Sequence, residues 1–572
     1  MSARRLIGME TEYGIHAPAN PRASHVSLSI ELINAYAAHV TESGGAVAGT
    51  EWDYQSESPL VDARGWVLPR SAAHPTQLTD TTEAVSYAAE QEPGSGAVRD
   101  ALGNISGGDP SPADSAERGY HPPGSDHWRG DFYRMEAGQP QMLMNLVLGN
   151  GARFYVDHAH PEYSAPETVG AKRAVLYDVA GDVIARAAAQ RLSQEPGAPE
   201  VLLYKNNTDN KSVSYGAHEN YLVPRAVPFD SLVEGLLPFF ATRQVMCGAG
   251  RVGLGQRSQS AGFQISQRAD FFEEQVGLET TVRRPIINTR DEPHANFDSW
   301  RRLHVIIGDA NMSEFSAWLR VGTTALVLDL IESGKAPAIR LNDPVLALKE
   351  ISHDPTLTCT VATTQGPLTA LQIQQQYLQA AIDHAREVSA ARLPHAAPDT
   401  ETAELLEAWA DLLTDLGEDI SRAGDRVDWV AKWNLLESYR RRDGLSWDSP
   451  QLGMIDLQYH DLRPDKGLYY RLARAGRMRR LFTEEQVAWA ASHPPEETRA
   501  WLRGQLISQH SESVAGASWD QILLRPDEAS PVVRLQLADP FSGNREQTEQ
   551  VLERAEEPAE LVHGLQDVLG QR

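Results

Sequence analysis

Residues 6–16, LIGMETEYGIH, alternate between two kinds of side chain, and this alternation decides the fold of the region around them. One face of the stretch collects Ile7, Met9, Thr11, Tyr13 and Ile15. The other face collects Gly8, Glu10, Glu12 and Gly14. A period of two residues is typical of a β-strand, whose side chains point alternately to opposite sides. The strand is therefore predicted to present two carboxylates in one direction, flanked by glycines that leave room for a ligand.

Three later segments show the same period and also place polar residues on one face. They are residues 152–163 (ARFYVDHAHPEY), 218–223 (HENYLV) and 301–311 (RRLHVIIGDAN). Their polar faces carry Arg153, Tyr155 and Asp157, with Glu162 after a turn, then His218 and Asn220, then Arg302 and His304. Each segment alone is more typical of an ordinary amphipathic strand than of a site. Four such strands in one sheet predict a single concave surface that gathers all of these groups.

The chemistry of this surface favours a metal–nucleotide site. Like-charged carboxylates repel one another unless cations compensate them. Oxygen-rich ligands with an occasional histidine suit Mg²⁺ or Mn²⁺, and the lack of thiols argues against a soft metal. Arg153 and Arg302 are predicted to clamp phosphate oxygens.

Familiar catalytic motifs are absent or misleading. The sequence contains no GxxxxGK[ST], no HExxH and no GxSxG, which argues against P-loop nucleotidases, the usual zinc proteases and serine hydrolases. One GxGxxG occurs at Gly248, Gly250 and Gly253. It follows the helix-like run SLVEGLLPFFATRQVMC instead of a strand, so we expect a flexible loop there and not a dinucleotide-binding turn.

The composition excludes further classes. A chain of 572 residues that is 41% hydrophobic and 23% charged can bury a large core, so it is not disordered throughout. Its formal charge of −26 would repel nucleic acid at long range. Two cysteines, Cys247 and Cys359, cannot form a disulfide scaffold or a four-cysteine zinc site. No apolar run approaches the ~20 residues of a membrane span, and no signal peptide is visible, so we expect a soluble cytoplasmic protein.

The order of elements predicts an α+β fold, because strand-like segments precede helices that dominate from about Asp309 onward. Helices are predicted over residues 316–331, 368–388 and 400–416. The stretch at about 74–140 is rich in Gly, Pro, Ser and Asp, which predicts a mobile insertion with a helix-like piece at 82–91. Pro494–Pro495 marks a predicted boundary between a large domain, 1–493, and a small one, 494–572.

A cluster of arginines late in the chain stands out against the acidic background. Its members are Arg440, Arg441, Arg442, Arg471, Arg474, Arg477, Arg479 and Arg480. Solvated helix faces explain each arginine singly, whereas the cluster as a whole would suit a groove for an acidic partner.

Several long motifs resemble those of the family of Pup–protein ligases and Pup deamidases, where Pup is the prokaryotic ubiquitin-like protein of actinobacteria. The motifs are GMETEYGI, WDYQSESPLVDARG, NGARFYVDHAHPEYSAPE, LYKNNTDNKSVSYGAHENYL, SQRADFFEEQVGLETT and IINTRDEPHA…RRLHVIIGDAN. They extend over nearly the whole chain. The family is related to carboxylate–amine ligases such as glutamine synthetase. The resemblance implies a large glutamine-synthetase-like domain whose curved antiparallel sheet cradles ATP, packed with helices, plus a small C-terminal domain.

Two features favour the deamidase branch. The ligases run almost directly from the first strand region to the NGAR motif, whereas this chain carries the insertion, which is longer than the usual form. The ligases also resemble GSHPEYATAE where this chain has DHAHPEYSAPE. The resemblance then implies an amidohydrolase that deamidates the C-terminal glutamine of Pup and cleaves the Pup–lysine isopeptide bond. A Pup–protein ligase and a catalytically silent regulator that binds Pup and ATP remain the alternatives.

The resemblance also implies a role for each matching residue. Asp157 matches the catalytic aspartate, either as nucleophile or as base. Magnesium positions are matched by Glu10, Tyr155, Glu162, His218 and His304. Nucleotide positions are matched by Gly8, Met9, Glu10, Thr11, Glu12, Ser164, Ala165, Asn220, Arg302 and Trp519. Arg268 and Arg290 match arginines that hold the carboxyl groups of the substrate. The implied cofactors are ATP and Mg²⁺, and the implied partners are Pup and pupylated proteins, with no nucleic acid and no membrane; no oligomeric state is predicted.

Overall fold

The computed structural model describes residues 5–45, 51–54, 57–73, 143–195, 197–198, 200–211, 213–392, 399–527 and 530–571. The predicted insertion at about 74–140, with its helix-like piece, lies outside these residues.

The described residues form the following β-strands and α-helices. The strands are β1 (Leu6–Glu12), β2 (Gly14–His16), β3 (Glu51–Trp52), β4 (Val61–Asp62), β5 (Trp66–Val67), β6 (Asn145–Val147), β7 (Arg153–Asp157), β8 (His160–Ser164), β9 (Thr168–Val169), β10 (Leu202–Tyr204), β11 (Ala217–Pro224), β12 (Arg251–Leu254), β13 (Ser260–Gln264), β14 (Phe272–Gly277), β15 (Arg284–Asn288), β16 (Trp300–Val305), β17 (Thr360–Thr363), β18 (Gly366–Thr369), β19 (Val514–Ala517), β20 (Gln521–Leu524) and β21 (Val533–Gln536). The helices are α1 (His25–Glu42), α2 (Ala171–Leu192), α3 (Phe229–Cys247), α4 (Glu314–Glu332), α5 (Pro344–Ser352), α6 (Ala370–Arg392), α7 (Thr400–Glu418), α8 (Asp428–Asp443), α9 (Pro450–Tyr459), α10 (Leu468–Arg474), α11 (Glu484–Ser492), α12 (Ala500–Gln509), α13 (Arg545–Arg554) and α14 (Pro558–Val568).

A seven-stranded antiparallel sheet forms the centre of the molecule, in the order β16-β11-β1-β8-β7-β6 with β9 also paired to β1. Helices α1 and α2 pack on each other and on one face of this sheet. Ile7, Met9 and Tyr13 of the first strand region are buried in the resulting core. The α+β class and the antiparallel sheet predicted from the sequence are confirmed.

Buried polar groups fix the back face of β1. Thr11 Oγ1 donates to Asp178 Oδ1 at 2.7 Å, and Tyr13 Oη donates to Asp182 Oδ1 at 2.9 Å. Lys205 Nζ lies 2.9 Å from Asp178 Oδ2 and 3.2 Å from Asp182 Oδ2. Because a buried charge is tolerated only when it is paired and hydrogen-bonded, this network holds the strand in one register against α2.

The predicted helices all exist, with small differences at their ends. Residues 316–331 lie in α4, whose first turn is capped by Ser313 accepting from Ser316 N. Residues 400–416 lie in α7, capped by Asp399. The prediction that a helix starts at residue 368 is wrong by two residues, because Leu368 and Thr369 pair with β17 and the helix begins at Ala370.

The GxGxxG segment follows a helix, as predicted, and is not a dinucleotide turn. Gly248 ends α3, and β12 starts at Arg251 and pairs with β13, so the prediction of a flexible loop is wrong for its second half. Gly250 has φ +69°, and a Cβ there would lie 2.8 Å from Phe263 and 3.1 Å from Trp429. Close packing therefore explains that glycine.

The end of the chain has its own hydrophobic cluster. Strands β19, β20 and β21 form a four-stranded sheet with β3, which pairs parallel to β19. The cluster combines Leu502, Ile522 and Leu561 with Trp52 and Val147 from the first part of the chain. The boundary near residue 494 stays a prediction, since two earlier segments join this unit. Among the described residues, no helix has the length and apolarity needed to cross a membrane.

Candidate active site

The front face of the central sheet carries the polar groups because the strand register brings them together. The register opposes Glu10 to His218, Glu12 to Glu162, Tyr155 to Glu162, and Asn220 to His304. Directly opposed residues of antiparallel strands point to the same face. The single polar surface predicted from the four segments is thus present.

The first cluster on this face consists of Glu10, His218 and His304, hereafter the histidine cluster. Each residue offers one ligand atom, and these atoms lie within 4.8 Å of one another. His218 Nδ1 is 3.2 Å from Glu10 Oε2. Burial alone would raise the pKa of Glu10, but the hydrogen bond to His218 and the charges of His304 and His218 bring it well below its usual range. The lowered pKa favours the charged form of Glu10, which is the form that a cation site requires.

Neighbouring polar groups hold the histidine cluster in place. Asn220 Nδ2 donates to Glu10 Oε1 at 2.8 Å, and Asn220 Oδ1 accepts from Arg302 Nη1 at 2.8 Å. His304 Nδ1 lies 2.9 Å from the same oxygen. Arg302 Nε donates in turn to the carbonyl of Glu292 at 2.7 Å. Asn220 thus holds both Glu10 and His304, in the way that outer partners orient the ligands of metal sites.

The second cluster consists of Glu12, Asp157 and Glu162, hereafter the carboxylate cluster. Its oxygens also lie within 4.8 Å of one another. Glu162 is 2% exposed, and its pKa is raised well above the usual range by burial and by the charges of Asp157 and Glu10. The backbone N–H of Gly216 donates to Glu12 Oε1 at 2.8 Å. Three acidic side chains this close repel one another, and a bound cation would relieve that repulsion.

Asp157 is the most accessible member of the carboxylate cluster, with 24% of its side chain exposed. Its Oδ2 lies 2.9 Å from Nδ1 of His158. Burial would raise the pKa of Asp157, but the charge and hydrogen bond of His158 lower it below its usual value. An ionised, reachable carboxylate has the properties of a nucleophile or a general base.

A pocket opens next to the histidine cluster. Eight of the predicted nucleotide residues line it, namely Gly8, Met9, Glu10, Ser164, Ala165, Asn220, Arg302 and Trp519. A Cβ added at Gly8 would meet only the Cβ of Asn220, at 3.8 Å, so the glycine leaves open space. Thr11 and Glu12 do not line this pocket, because the side chain of Thr11 contacts Asp178 on the opposite face and Glu12 belongs to the carboxylate cluster.

The pocket also has walls that the sequence analysis missed. They are formed by Pro293, His294, Glu167 and Arg499. Glu167 accepts from Arg499 Nε at 2.6 Å and also pairs with Arg503, which joins the C-terminal part of the chain to the sheet. His294 lies in the motif IINTRDEPHA, but no alternation of polar and apolar residues indicates that it faces a site.

Arg153 is enclosed by aromatic rings. Its guanidinium carbon lies 3.8 Å from the centre of the Tyr155 ring and 4.1 Å from that of Trp52. Its Nε donates to Asn145 Oδ1 at 2.8 Å and its Nη2 to Tyr54 Oη at 3.1 Å. Such stacking stabilises the buried cation and fixes its orientation. The phosphate-clamping role of Arg153 stays a prediction.

Of the two arginines assigned to the substrate, Arg268 is buried and Arg290 is half-buried. Arg268 is 1% exposed and donates to Ile306 O at 2.5 Å, and its pKa is lowered to about 9 by burial and by the charge of Arg284. Arg290 Nε is buried without a hydrogen-bond partner in the part of the chain that the structure describes. Arg284, which the sequence analysis missed, has a pKa lowered to about 10 by burial, and Glu12 opposes this. A bound anion would favour the charged form of these arginines.

The late arginine cluster is less basic than its composition indicates. Ion pairs join Arg440 and Arg441 to Glu437, and Arg442 to Asp443. Arg479 pairs with Asp425 and Arg480 with Glu314. A groove for an acidic partner at this place stays a prediction, with much of the positive charge already compensated.

Comparisons with known proteins identify the family to which this chain belongs. The model of the Pup-ligase protein family matches residues 5–523. Two solved structures share the fold: the complex between Pup and its ligase PafA, with a TM-score of 0.70, 29% identity and coverage of 98% of this chain and 92% of that chain, and the Pup ligase PafA in complex with ADP, with a TM-score of 0.64, 37% identity and coverage of 72% and 89%. The chain therefore belongs to the Pup-ligase family.

Within this family the chain is similar over nearly its full length to depupylases. The depupylase of Acidothermus cellulolyticus is 42% identical over 98% of this chain and 99% of its own length. The Pup deamidase/depupylase of Mycobacterium tuberculosis is also 42% identical, over the same shares. The Pup–protein ligase of a Nocardioides species is 40% identical over 72% of this chain and 90% of its own length.

Proposed function

We propose that this chain is a Pup deamidase and depupylase. It hydrolyses the side-chain amide of the C-terminal glutamine of Pup to glutamate, and it cleaves the isopeptide bond between Pup and a lysine of a modified protein. Both reactions break an amide at the same Pup side chain, so one site serves both. The observation that carries the proposal is an accessible Asp157 on the same face of the sheet as the pocket, in a chain similar to depupylases over 98% of its length.

ATP and Mg²⁺ are the proposed cofactors. Glu10, Tyr155, Glu162, His218 and His304 would hold Mg²⁺, and the pocket beside the histidine cluster would hold the nucleotide. The donor set fits, because clustered carboxylates need a cation and Mg²⁺ prefers oxygen ligands. When bound, Mg²⁺ supplies positive charge that keeps these carboxylates ionised and polarises a nearby carbonyl. Because amide hydrolysis is downhill, the nucleotide need not be consumed at each turnover.

Asp157 is the proposed catalytic residue, by one of two routes. As a nucleophile, it attacks the amide carbon and forms an anhydride while ammonia or the lysine amine leaves, and water then hydrolyses the anhydride. As a general base, it takes a proton from a water molecule that attacks the same carbon. Its position at the accessible edge of the carboxylate cluster suits either route.

Arg268 and Arg290 are the proposed anchors for the terminal carboxyl groups of Pup. Burial and neighbouring arginines disfavour the charge of Arg268, which an arriving carboxylate would stabilise. Charge-assisted hydrogen bonds of this kind are strong and directional, so they would place the scissile amide next to Asp157.

The Pup–protein ligase is the second candidate, because two solved structures with this fold are Pup ligases. It differs in one measurable property, since a ligase must consume ATP to attach glutamate-ended Pup to lysine. The shorter match to the Nocardioides ligase, 72% against 98% of this chain for the depupylases, favours the hydrolase.

The experiment incubates the purified protein with ATP and Mg²⁺ in three separate reactions and follows Pup by mass spectrometry. The reactions contain glutamine-ended Pup, a pupylated protein, or glutamate-ended Pup with added lysine proteins. We expect conversion of the amide to the acid and release of Pup from a pupylated protein. Attachment of glutamate-ended Pup to added lysine proteins, without deamidation, would establish the ligase instead. Binding of Pup and ATP with neither reaction would establish a silent regulator.

A further inference from the structure

His158 occupies a strained position in the tight turn that carries Asp157. Strands β7 and β8 pair up to Asp157 and His160, so only His158 and Ala159 connect them. His158 has φ +52°, in the left-handed region of backbone space. Glycine adopts this conformation without steric cost, whereas the Cβ of any other residue, histidine included, makes it uncommon. Backbone outliers of this kind cluster at active sites and ligand-binding sites, where the surrounding structure holds them in place.

The side chain of His158 turns back onto the preceding residue. Its Nδ1 lies 2.9 Å from Oδ2 of Asp157, and 17% of its side chain is exposed. An ionised carboxylate only accepts hydrogen bonds, so Nδ1 must carry the proton and donate it. The bond occupies one oxygen of Asp157 and leaves Oδ1 for the substrate or for water.

Asp157 gains a fixed orientation from such a partner, because the carboxylates close to it repel it. Glu12 and Glu162 offer oxygens within 4.8 Å of an oxygen of Asp157. The terminal torsion of an aspartate is soft, so repulsion alone leaves its carboxylate without a fixed orientation. A misplacement of about 1 Å at a reacting group costs on the order of a hundred-fold in rate.

We propose that His158 is a positioning residue for the proposed hydrolase, which donates from Nδ1 to Asp157 and so fixes the orientation of the catalytic carboxylate. The inference rests on the proposed function, since it assigns His158 a role through Asp157. It goes beyond that function because none of the assigned catalytic, metal, nucleotide or substrate residues is His158.

Two substitutions separate this role from a purely structural one. His158→Gly removes the donor and suits the positive φ at least as well as histidine, so the turn itself is relieved. His158→Asn also suits the positive φ and retains an N–H donor on a short side chain. A residue needed only for the turn would therefore tolerate both changes equally.

The test compares kcat and KM for glutamine-ended Pup, and the Kd for ATP, in the wild type and both variants with Mg²⁺ present. We expect His158→Gly to lower kcat by about 10- to 100-fold, the range seen when a partner that orients a site residue is removed. KM and the Kd for ATP should stay close to the wild-type values, because His158 acts through Asp157 and does not line the pocket. His158→Asn should recover most of the lost kcat.

Three outcomes would overturn the proposal. They are an unchanged kcat in His158→Gly, an equal loss in both variants, or a loss that appears in KM alone. Failure of the proposed function is distinguishable, because the wild type would then show no deamidation at all. Thermal unfolding of both variants checks that they fold, and Asp157→Asn marks the rate without the catalytic group.

Discussion

The histidine cluster and the carboxylate cluster sit side by side on the same sheet, yet their surroundings differ. Glu10 and Glu12 are two residues apart on one face of β1 and belong to different clusters. Around Glu10, the hydrogen bond of His218 and nearby positive charge lower the pKa of the carboxyl group. Around Glu162, burial and two other carboxylates raise the pKa instead.

This difference leads to different expectations for the two clusters. The histidine cluster is held by Asn220 and Arg302 and adjoins the pocket, which suits an anchor for a metal and a nucleotide. The carboxylate cluster contains a reachable Asp157 and has acidic neighbours, which suits a group that must react. Variants in the two clusters should therefore fail in different ways.

Asp157→Asn should have the largest effect. The amide keeps the size of the side chain but cannot act as nucleophile or base, so deamidation and depupylation should both fall by about 10⁴-fold or more, as for other essential groups. The Kd for ATP with Mg²⁺ should stay within about two-fold, since an isosteric change at a site away from the pocket leaves nucleotide contacts intact. Isothermal titration calorimetry and the Pup assay measure the two properties. Retained turnover would contradict the role of Asp157.

Gly216→Ala should damage both clusters at once. A Cβ at Gly216 would lie 2.3 Å from Nε2 of His218 and 2.6 Å from Oε1 of Glu12, so both ligands must move. We expect a loss of about 100-fold in kcat/KM, together with weaker ATP binding, because misplaced site groups cost on that order. Gly453→Ala is the matched control, since a Cβ there meets nothing within 4 Å and lies on α9. Equal effects of the two substitutions would contradict the proposed geometry.

Glu10→Gln should weaken the anchor without removing the chemistry. The change removes one negative charge from the histidine cluster, so the affinity for Mg²⁺ and ATP should fall by about 10- to 100-fold. Activity should recover when both concentrations are raised, whereas Asp157→Asn stays inactive. A titration of activity against Mg²⁺ at saturating Pup measures this contrast. If activity stays lost at high Mg²⁺ and ATP, Glu10 belongs to the chemistry.

Glu167→Gln should have the smallest effect on catalysis and a clear effect on stability. Arg499 and Arg503 pair with Glu167 and hold its pKa at about 2, against an ordinary value of 4.5. A depressed pKa stabilises the folded protein above pH 4.5, and the contribution is lost as the pH falls towards 2. Breaking a buried pair costs about 3 kcal/mol.

Denaturant unfolding between pH 6 and about pH 3 measures the effect of Glu167→Gln. The variant should be less stable near neutral pH, and its stability should depend less on acid than that of the wild type. Because Arg503 also donates to Trp519 O at 3.2 Å, ATP binding should weaken by a few-fold. Parallel acid dependence in the two proteins would contradict the assigned ion pairs.

The sequence predicted which side chains share a face of a strand, but it did not predict the register in which the strands pair. Period-two patterning placed Glu10, Asp157, His218 and His304 on polar faces, because alternation is a local property of a strand. It could not predict that Glu12 lies opposite Glu162, since register depends on contacts between segments 150 residues apart in the chain. That register divides the single polar surface indicated by the sequence into two clusters.

Other features of the structure could not be predicted from the sequence because they depend on tertiary packing. Arg284 shows no distinguishing pattern in the sequence. It becomes a candidate site residue only because the fold buries its guanidinium group near Arg268. The wall formed by Glu167 and Arg499 joins residues from two distant parts of the chain. Leu368 and Thr369 suit a helix by their spacing but pair with β17, where strand contacts override local propensity.

The most direct test of the central claim counts ATP and amide bonds in the same reaction. The wild type is incubated with Mg²⁺, a limiting amount of ATP and an excess of glutamine-ended Pup, and both ADP and glutamate-ended Pup are quantified over time. A nucleotide held at the histidine cluster while Asp157 does the chemistry predicts many glutamate-ended Pup molecules for each ADP formed. One ADP for each amide hydrolysed would contradict the account, because ATP would then be a reactant of each turnover.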